Sequence, residues 1–93
     1  MVRVYRQGDV LLIEREYEVE LEEKVADKLV IQSETGNIHE LAAPVYRAGN
    51  GRLYAVVNVT LTLKHPEHPE LKIEPGIYEV RTVRDYALQR PID

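Results

Sequence analysis

The stretch Arg52 to Glu70, RLYAVVNVTLTLKHPEHPE, constrains the fold more than any other part of the chain. Leu53, Ala55, Val57, Val59, Leu61 and Leu63 occupy one parity, and Arg52, Tyr54, Val56, Asn58, Thr60, Thr62 and Lys64 the other. A period of two, rich in β-branched and aromatic residues, predicts one long half-buried strand over 53–63. The next residue on the apolar parity is His65, after which the chain turns through Pro66-Glu67-His68-Pro69. A core strand is thus expected to deliver one imidazole to the interior, and a tight turn to bring back a second.

The rest of the chain reads as short strands between turn signals. Met1 to Arg6 alternates weakly and predicts an edge strand, broken by Gln7-Gly8-Asp9; Val10 to Ile13 has the continuous apolar character of a strand buried on both faces. The alternation of Tyr17, Val19 and Leu21 with glutamates extends that strand to Leu21, with residues 22–27 as a loop; the helical spacing of Tyr17, Leu21 and Val25 is the weaker pattern. Lys28 to Ser33 and Ile38 to Ala42 are strands flanking the turn Glu34-Thr35-Gly36-Asn37. Asn50-Gly51 is the strongest hairpin signal and pairs Val45–Ala48 with the start of the long strand. Leu71 to Glu74 is short and alternating, Pro75-Gly76 predicts a type II turn, and Ile77 to Tyr86 is a last strand bulged near Arg81-Thr82. Pro44, Pro66, Pro69 and Pro75 all fall at strand ends. The fold class is therefore all-β: a small antiparallel β-barrel or two-sheet sandwich with little helix.

Composition narrows the function classes. A chain of 93 residues makes one domain, here with 87–93 as a tail. Twelve basic against sixteen acidic residues give a net charge of −4, which argues against a nucleic-acid partner. The absence of cysteine excludes thiolate metal sites and thiol catalysis. No apolar run approaches the roughly 18 residues of a membrane span, and no signal pattern is present, so a cytoplasmic protein with no membrane partner is expected. Charged residues reach 30% while Asn and Gln number three each, a thermophile-like bias.

All three histidines fall at element ends. A type I turn over 65–68 brings its end residues within about 7 Å by their Cα atoms, so His65 and His68 can face one point. His39 shares parity with Leu41 and joins them if Leu41 faces the core. Three neutral imidazoles at one end of a β-domain suit one divalent metal: Zn, Ni, Fe or Mn. Glu34, Glu40 and Glu67 are candidates for a fourth ligand, a supporting hydrogen-bond partner or a proton acceptor. The same HPEHPE string is also an ordinary exposed turn, with its histidines solvated.

The strings QGDVLLI at 7–13, ETGNIHEL at 34–41 and HPEHPELKIEPGIYEV at 65–80, followed by Arg84-Asp85-Tyr86, resemble a family of small uncharacterised prokaryotic and phage proteins. In that family a QGDV start, an E-x-TGH-x-H element, an H-x-EH element and a PG-x-Y-x-V finish recur in order. The resemblance implies that Glu34, Thr35, Gly36, His39, His65, Glu67 and His68 occupy signature positions. The chain departs at Asn37, where the family commonly has a histidine; Asn37 shares the parity of His39 and offers only a weak amide oxygen. A fainter resemblance is to cupins, whose HxH-type metal element Asn37-x-His39 half matches.

Arg81 and Arg84, with Tyr78 and Tyr86, are candidates for an anion pocket, or are solvent-facing partners of the glutamates. The acidic row 14–23 reads as a solvated strand face. Asp9 reads as a turn residue bonding its local backbone. Two functions stay open: a metal- or small-ligand-binding β-domain, with catalysis undecided, and a non-catalytic interaction or homo-oligomerisation module. A homodimer suits either.

Overall fold

The computed structural model describes residues 2–15, 18–33 and 36–83. Its ten strands are β1 (Val4–Gln7), β2 (Val10–Glu14), β3 (Leu21–Ala26), β4 (Leu29–Gln32), β5 (Ile38–Leu41), β6 (Val45–Ala48), β7 (Leu53–Val57), β8 (Leu61–His65), β9 (His68–Ile73) and β10 (Gly76–Thr82). They form two antiparallel sheets, one ordered β1-β2-β10-β7-β6-β3 and the other β4-β5-β8-β9. The all-β expectation holds, and among its two forms the two-sheet arrangement describes the molecule. No pairing among the described residues closes either sheet into a barrel. No helix among the described residues is long and apolar enough to cross a membrane.

One core cluster draws on both sheets. Leu12, Val45, Ala55, Val57 and Tyr78 come from the six-stranded sheet, and Leu29, Leu41, Leu63 and Ile73 from the four-stranded one. Leu12, Leu41, Leu63, Ile73 and Tyr78 are fully buried, and each such aliphatic side chain contributes about 1.5–3 kcal/mol by leaving water.

The long alternating stretch is two strands in different sheets. It bends over Asn58–Thr60, where Val59 is 63% exposed, and β8 then enters the opposite sheet. The odd parity survives the bend: Ala55, Val57, Leu63 and His65 are all buried. Parity therefore gave the inward side at 55, 57, 63 and 65 but not along the whole stretch, since Leu53 is exposed and Tyr54, on the other parity, is buried.

Local turn chemistry explains most of the boundaries. β1 and β2 make a tight hairpin with Gln7 opposite Val10, and Gly8 takes φ +58°, which favours glycine. β6 and β7 pair as expected around Asn50-Gly51, with Gly51 at φ +82° and its N–H donating to the Ala48 carbonyl. Pro66-Glu67 joins β8 to β9 with His65 opposite His68.

Three expectations are corrected. β2 ends at Glu14, and the acidic strand is β3, over the residues read as a loop; it pairs with β6 through two register shifts at a sheet edge. Glu16 and Tyr17 lie outside the described residues. Gly76 has no positive φ and begins β10, so the type II turn is not formed; a Cβ there would meet Glu14 Oε2 at 3.0 Å, and the glycine serves that close approach. β10 pairs with β2 in unbroken register from Tyr78 to Thr82, without the expected bulge. The irregularity lies instead in β8, between Leu63 and His65.

Candidate functional site

Four elements converge on the end of the sandwich where β8 turns into β9. β5 supplies His39, which is fully buried on the parity of Leu41. β8 supplies His65, 6% exposed, and β9 begins with His68, which is exposed. Their ring centroids lie 4.2 Å apart for His39 and His65, 4.6 Å for His65 and His68, and 6.0 Å for His39 and His68. The three sequence-predicted imidazoles are thus together.

The hairpin between β1 and β2 caps this cluster. Gln7 is 3% exposed, and its Nε2 donates to the carbonyls of Leu63 and Pro69, each at 3.0 Å. The register shift at Leu63–His65 interrupts the β8–β9 ladder, and the Leu63 carbonyl there receives the Gln7 amide. With both amide hydrogens aimed at acceptors, Gln7 Oε1 faces His39 Nδ1 at 2.9 Å. Gly8 lies so close to His68 that a Cβ would stand 2.6 Å from its Nε2. Asp9 places Oδ1 3.3 Å from His39 Nε2, and its backbone carbonyl accepts from Val83 N–H at 2.7 Å, which ties the turn to the end of β10.

The hydrogen-bond partners favour one tautomer for each of two rings. A carbonyl oxygen at Nδ1 requires the proton there, so neutral His39 presents its lone pair at Nε2, towards the Asp9 carboxylate. His65 is the reverse: its Nδ1 accepts the Glu67 backbone N–H at 3.0 Å, leaving Nε2–H to meet Ser33 Oγ at 3.4 Å. Burial, with the neighbouring His65 and, more weakly, His68, pushes the His39 pKa below its ordinary value, against the opposing pull of Asp9.

Of the supporting residues, Glu67 lies in the turn between His65 and His68 and accepts a hydrogen bond from Asn37 Nδ2, just before β5. Glu40 does not reach them: its carboxylate pairs with Lys28 Nζ at 2.9 Å, which holds its pKa below the usual range. An open pocket of about 330 Å³ on that side is lined by Ile38, Glu40, Lys64, His65, Pro66 and Glu70. Glu34 and Arg84 lie outside the described residues, while Arg81 lies in the other sheet, against Glu79. Gln7 and Asp9 are the residues that sequence reasoning missed as site residues. Their contacts span 32 and 30 positions, and QGD by itself has no signature beyond a turn.

As they stand, no group of three or more His, Asp or Glu side chains among the described residues is arranged to hold a metal ion. In this arrangement the His65 Nδ1 lone pair is taken by the Glu67 backbone N–H.

A family model described as a domain of unknown function (DUF8820) matches residues 6–83. The chain belongs to that family. The match spans β2 to β10 and includes the capping turn Gln7-Gly8-Asp9 and all three histidines. It agrees with the expected membership of an uncharacterised family, and bears neither on the four sequence blocks nor on the cupin resemblance. Neither a curated protein nor a solved structure matches the chain.

Proposed function

We propose that this DUF8820 domain binds one divalent transition-metal ion at the His39–Asp9 pair, with His68 and His65 completing the donor set. The observation that supports this reading is the pairing of two acceptors. Neutral His39 turns its Nε2 lone pair towards Asp9 Oδ1 at 3.3 Å, and two acceptors at that distance repel unless a cation joins them. A second proton on His39 is one such cation, but burial and the adjacent imidazoles disfavour it. A metal ion is the other. Donors bound to one tetrahedral ion at about 2.0–2.2 Å stand roughly 3–3.5 Å apart, which is the spacing found here.

The remaining donors agree in kind. His68 borders Gly8, next to Asp9, and His65 ligation replaces the Glu67 N–H at Nδ1 with the ion. Imidazole with one carboxylate suits Zn, Ni, Fe or Mn. The Gln7 carbonyl at the far side of the His39 ring is the orienting hydrogen bond that metal-bound histidines characteristically make.

Calorimetric titration of tag-free protein with Zn, Ni and Mn salts tests the proposal. One saturable site is expected, lost in His39→Ala and weakened at least about tenfold in Asp9→Asn. If none of the three ions binds saturably, the metal reading is wrong and the interaction-module reading replaces it.

A further inference from the structure

The outer face of the six-stranded sheet holds a second polar cluster, unconnected with the histidines. Tyr78 belongs to the core cluster, so its neighbour Glu79 points to the opposite face, yet Glu79 is fully buried. Its carboxylate meets Arg15 Nη2, meets Arg52 Nη1 at 3.3 and 3.1 Å, and meets Arg81 Nη1 at 2.6 Å. Oε1 therefore receives Arg15 and Arg52, and Oε2 receives Arg52 and Arg81.

We propose that Arg15 and Arg52, held in place by Glu79, form a binding site for a small oxyanion, a carboxylate or a phosphate. The argument is one of donors against acceptors. A carboxylate offers about four lone-pair sites, and those four contacts fill them. Each guanidinium carries about five N–H donors, so Arg15 and Arg52 have more donors than Glu79 can accept from among the described residues. Arg15 Nε is buried and has no partner among the described residues. Arg52 is 45% exposed and Arg15 20%, so the free edges of their forks reach solvent, whereas Arg81 at 9% forms the inner wall. Arg15 and Arg52 together bring two positive charges to the one negative charge of Glu79.

The geometry also selects the ligand class. A guanidinium is a fork of paired N–H donors, which matches the two-oxygen edge of a carboxylate or phosphate, and Glu79 anchors two of them side by side. Glu18 and Glu20 line a neighbouring depression with Ile77, so an anion approaches from the Arg52 side.

The test is titration of metal-stripped protein at pH 8 and low ionic strength with inorganic phosphate and, separately, with succinate. Amide chemical shifts locate the binding. Saturable shifts centred on residues 15, 52 and 79 are expected with at least one probe, and the stronger probe identifies the ligand source. Arg52→Gln and Arg15→Gln each weaken binding about tenfold or more, and Arg52→Lys, which keeps the charge without the fork, weakens it by less. Absence of saturable shifts with both probes, or unchanged affinity in folded Arg52→Gln and Arg15→Gln, overturns the proposal.

Discussion

Gln7 Oε1 stands 2.9 Å from His39 Nδ1 and fixes which nitrogen of that ring is available. The amide cannot be turned around without bringing its oxygen against the carbonyls of Leu63 and Pro69. The β1–β2 hairpin therefore sets the tautomer of a histidine on another sheet, and through it the direction of a lone pair.

Gln7→Leu removes this control while keeping the side chain near its original size. The Leu63 and Pro69 carbonyls then lose a buried donor, at a cost of about 1–3 kcal/mol. Loss of the hydrogen bond behind a metal-bound histidine lowers affinity by about 10–100-fold. Urea unfolding and metal titration of the same variant should show both effects. A variant with wild-type metal affinity would mean that Gln7 supports only the fold.

Gly8→Ala probes the same hairpin differently. At φ +58° a side chain is strained by roughly 1–2 kcal/mol. The new methyl also meets His68 Nε2, at the tip of an exposed side chain that can move aside. The expected result is a small loss of thermal stability with a larger loss of metal affinity, read by a melting curve and a titration. Equal affinity in the two proteins would remove His68 from the proposed donor set.

Asn37→His places an imidazole where an amide now donates to Glu67 in the 65–68 turn. Imidazole is a far better ligand for divalent transition metals than a side-chain amide oxygen. Affinity for Ni and Zn should rise by about tenfold or more, measured by competition with a chromogenic chelator. Unchanged affinity would show that position 37 points away from the ion.

The sequence made the inward face legible but not the path. His39 and His65 are buried because they continue the apolar parities of Leu41 and Leu63, and that rule needs only local information. The hairpins at Asn50-Gly51 and Pro66-Glu67 were legible for the same reason, since turn residues set their own φ and ψ. The bend at Asn58–Thr60 was hidden because the chain kept its parity while changing sheets. β3 was hidden by its composition: an edge strand with five exposed residues of six obeys no hydrophobic alternation. Asp9 and Gln7 belong to the site through contacts about thirty positions away, and Arg15, Arg52 and Arg81 meet only because β2, β7 and β10 are neighbours. No pattern within a short window records such meetings.

Tyr78 gives the fold a defined alkaline limit. Its ring is fully buried in the core against the edge of Tyr5, and its hydroxyl donates to the Glu74 carbonyl at 2.5 Å. Burial, with the neighbouring Tyr5 next in effect, pushes its pKa up to about 12, from an ordinary value of 10.0. Below pH 10 the phenol is protonated in both folded and unfolded chains, so its contribution does not vary. Between pH 10 and about 12 the unfolded chain releases this proton while the folded chain retains it. The unfolded state is favoured progressively, and stability falls as pH rises through that window. Tyr78→Phe has no proton to release, so its stability should decline less between pH 10 and 12, although it loses the bond to Glu74. Urea unfolding of both proteins at pH 8, 10 and 11.5 measures the difference, and phenolate absorbance should show one tyrosine ionising late in the folded wild type. Parallel stability profiles for the two proteins would show that Tyr78 does not set the alkaline limit.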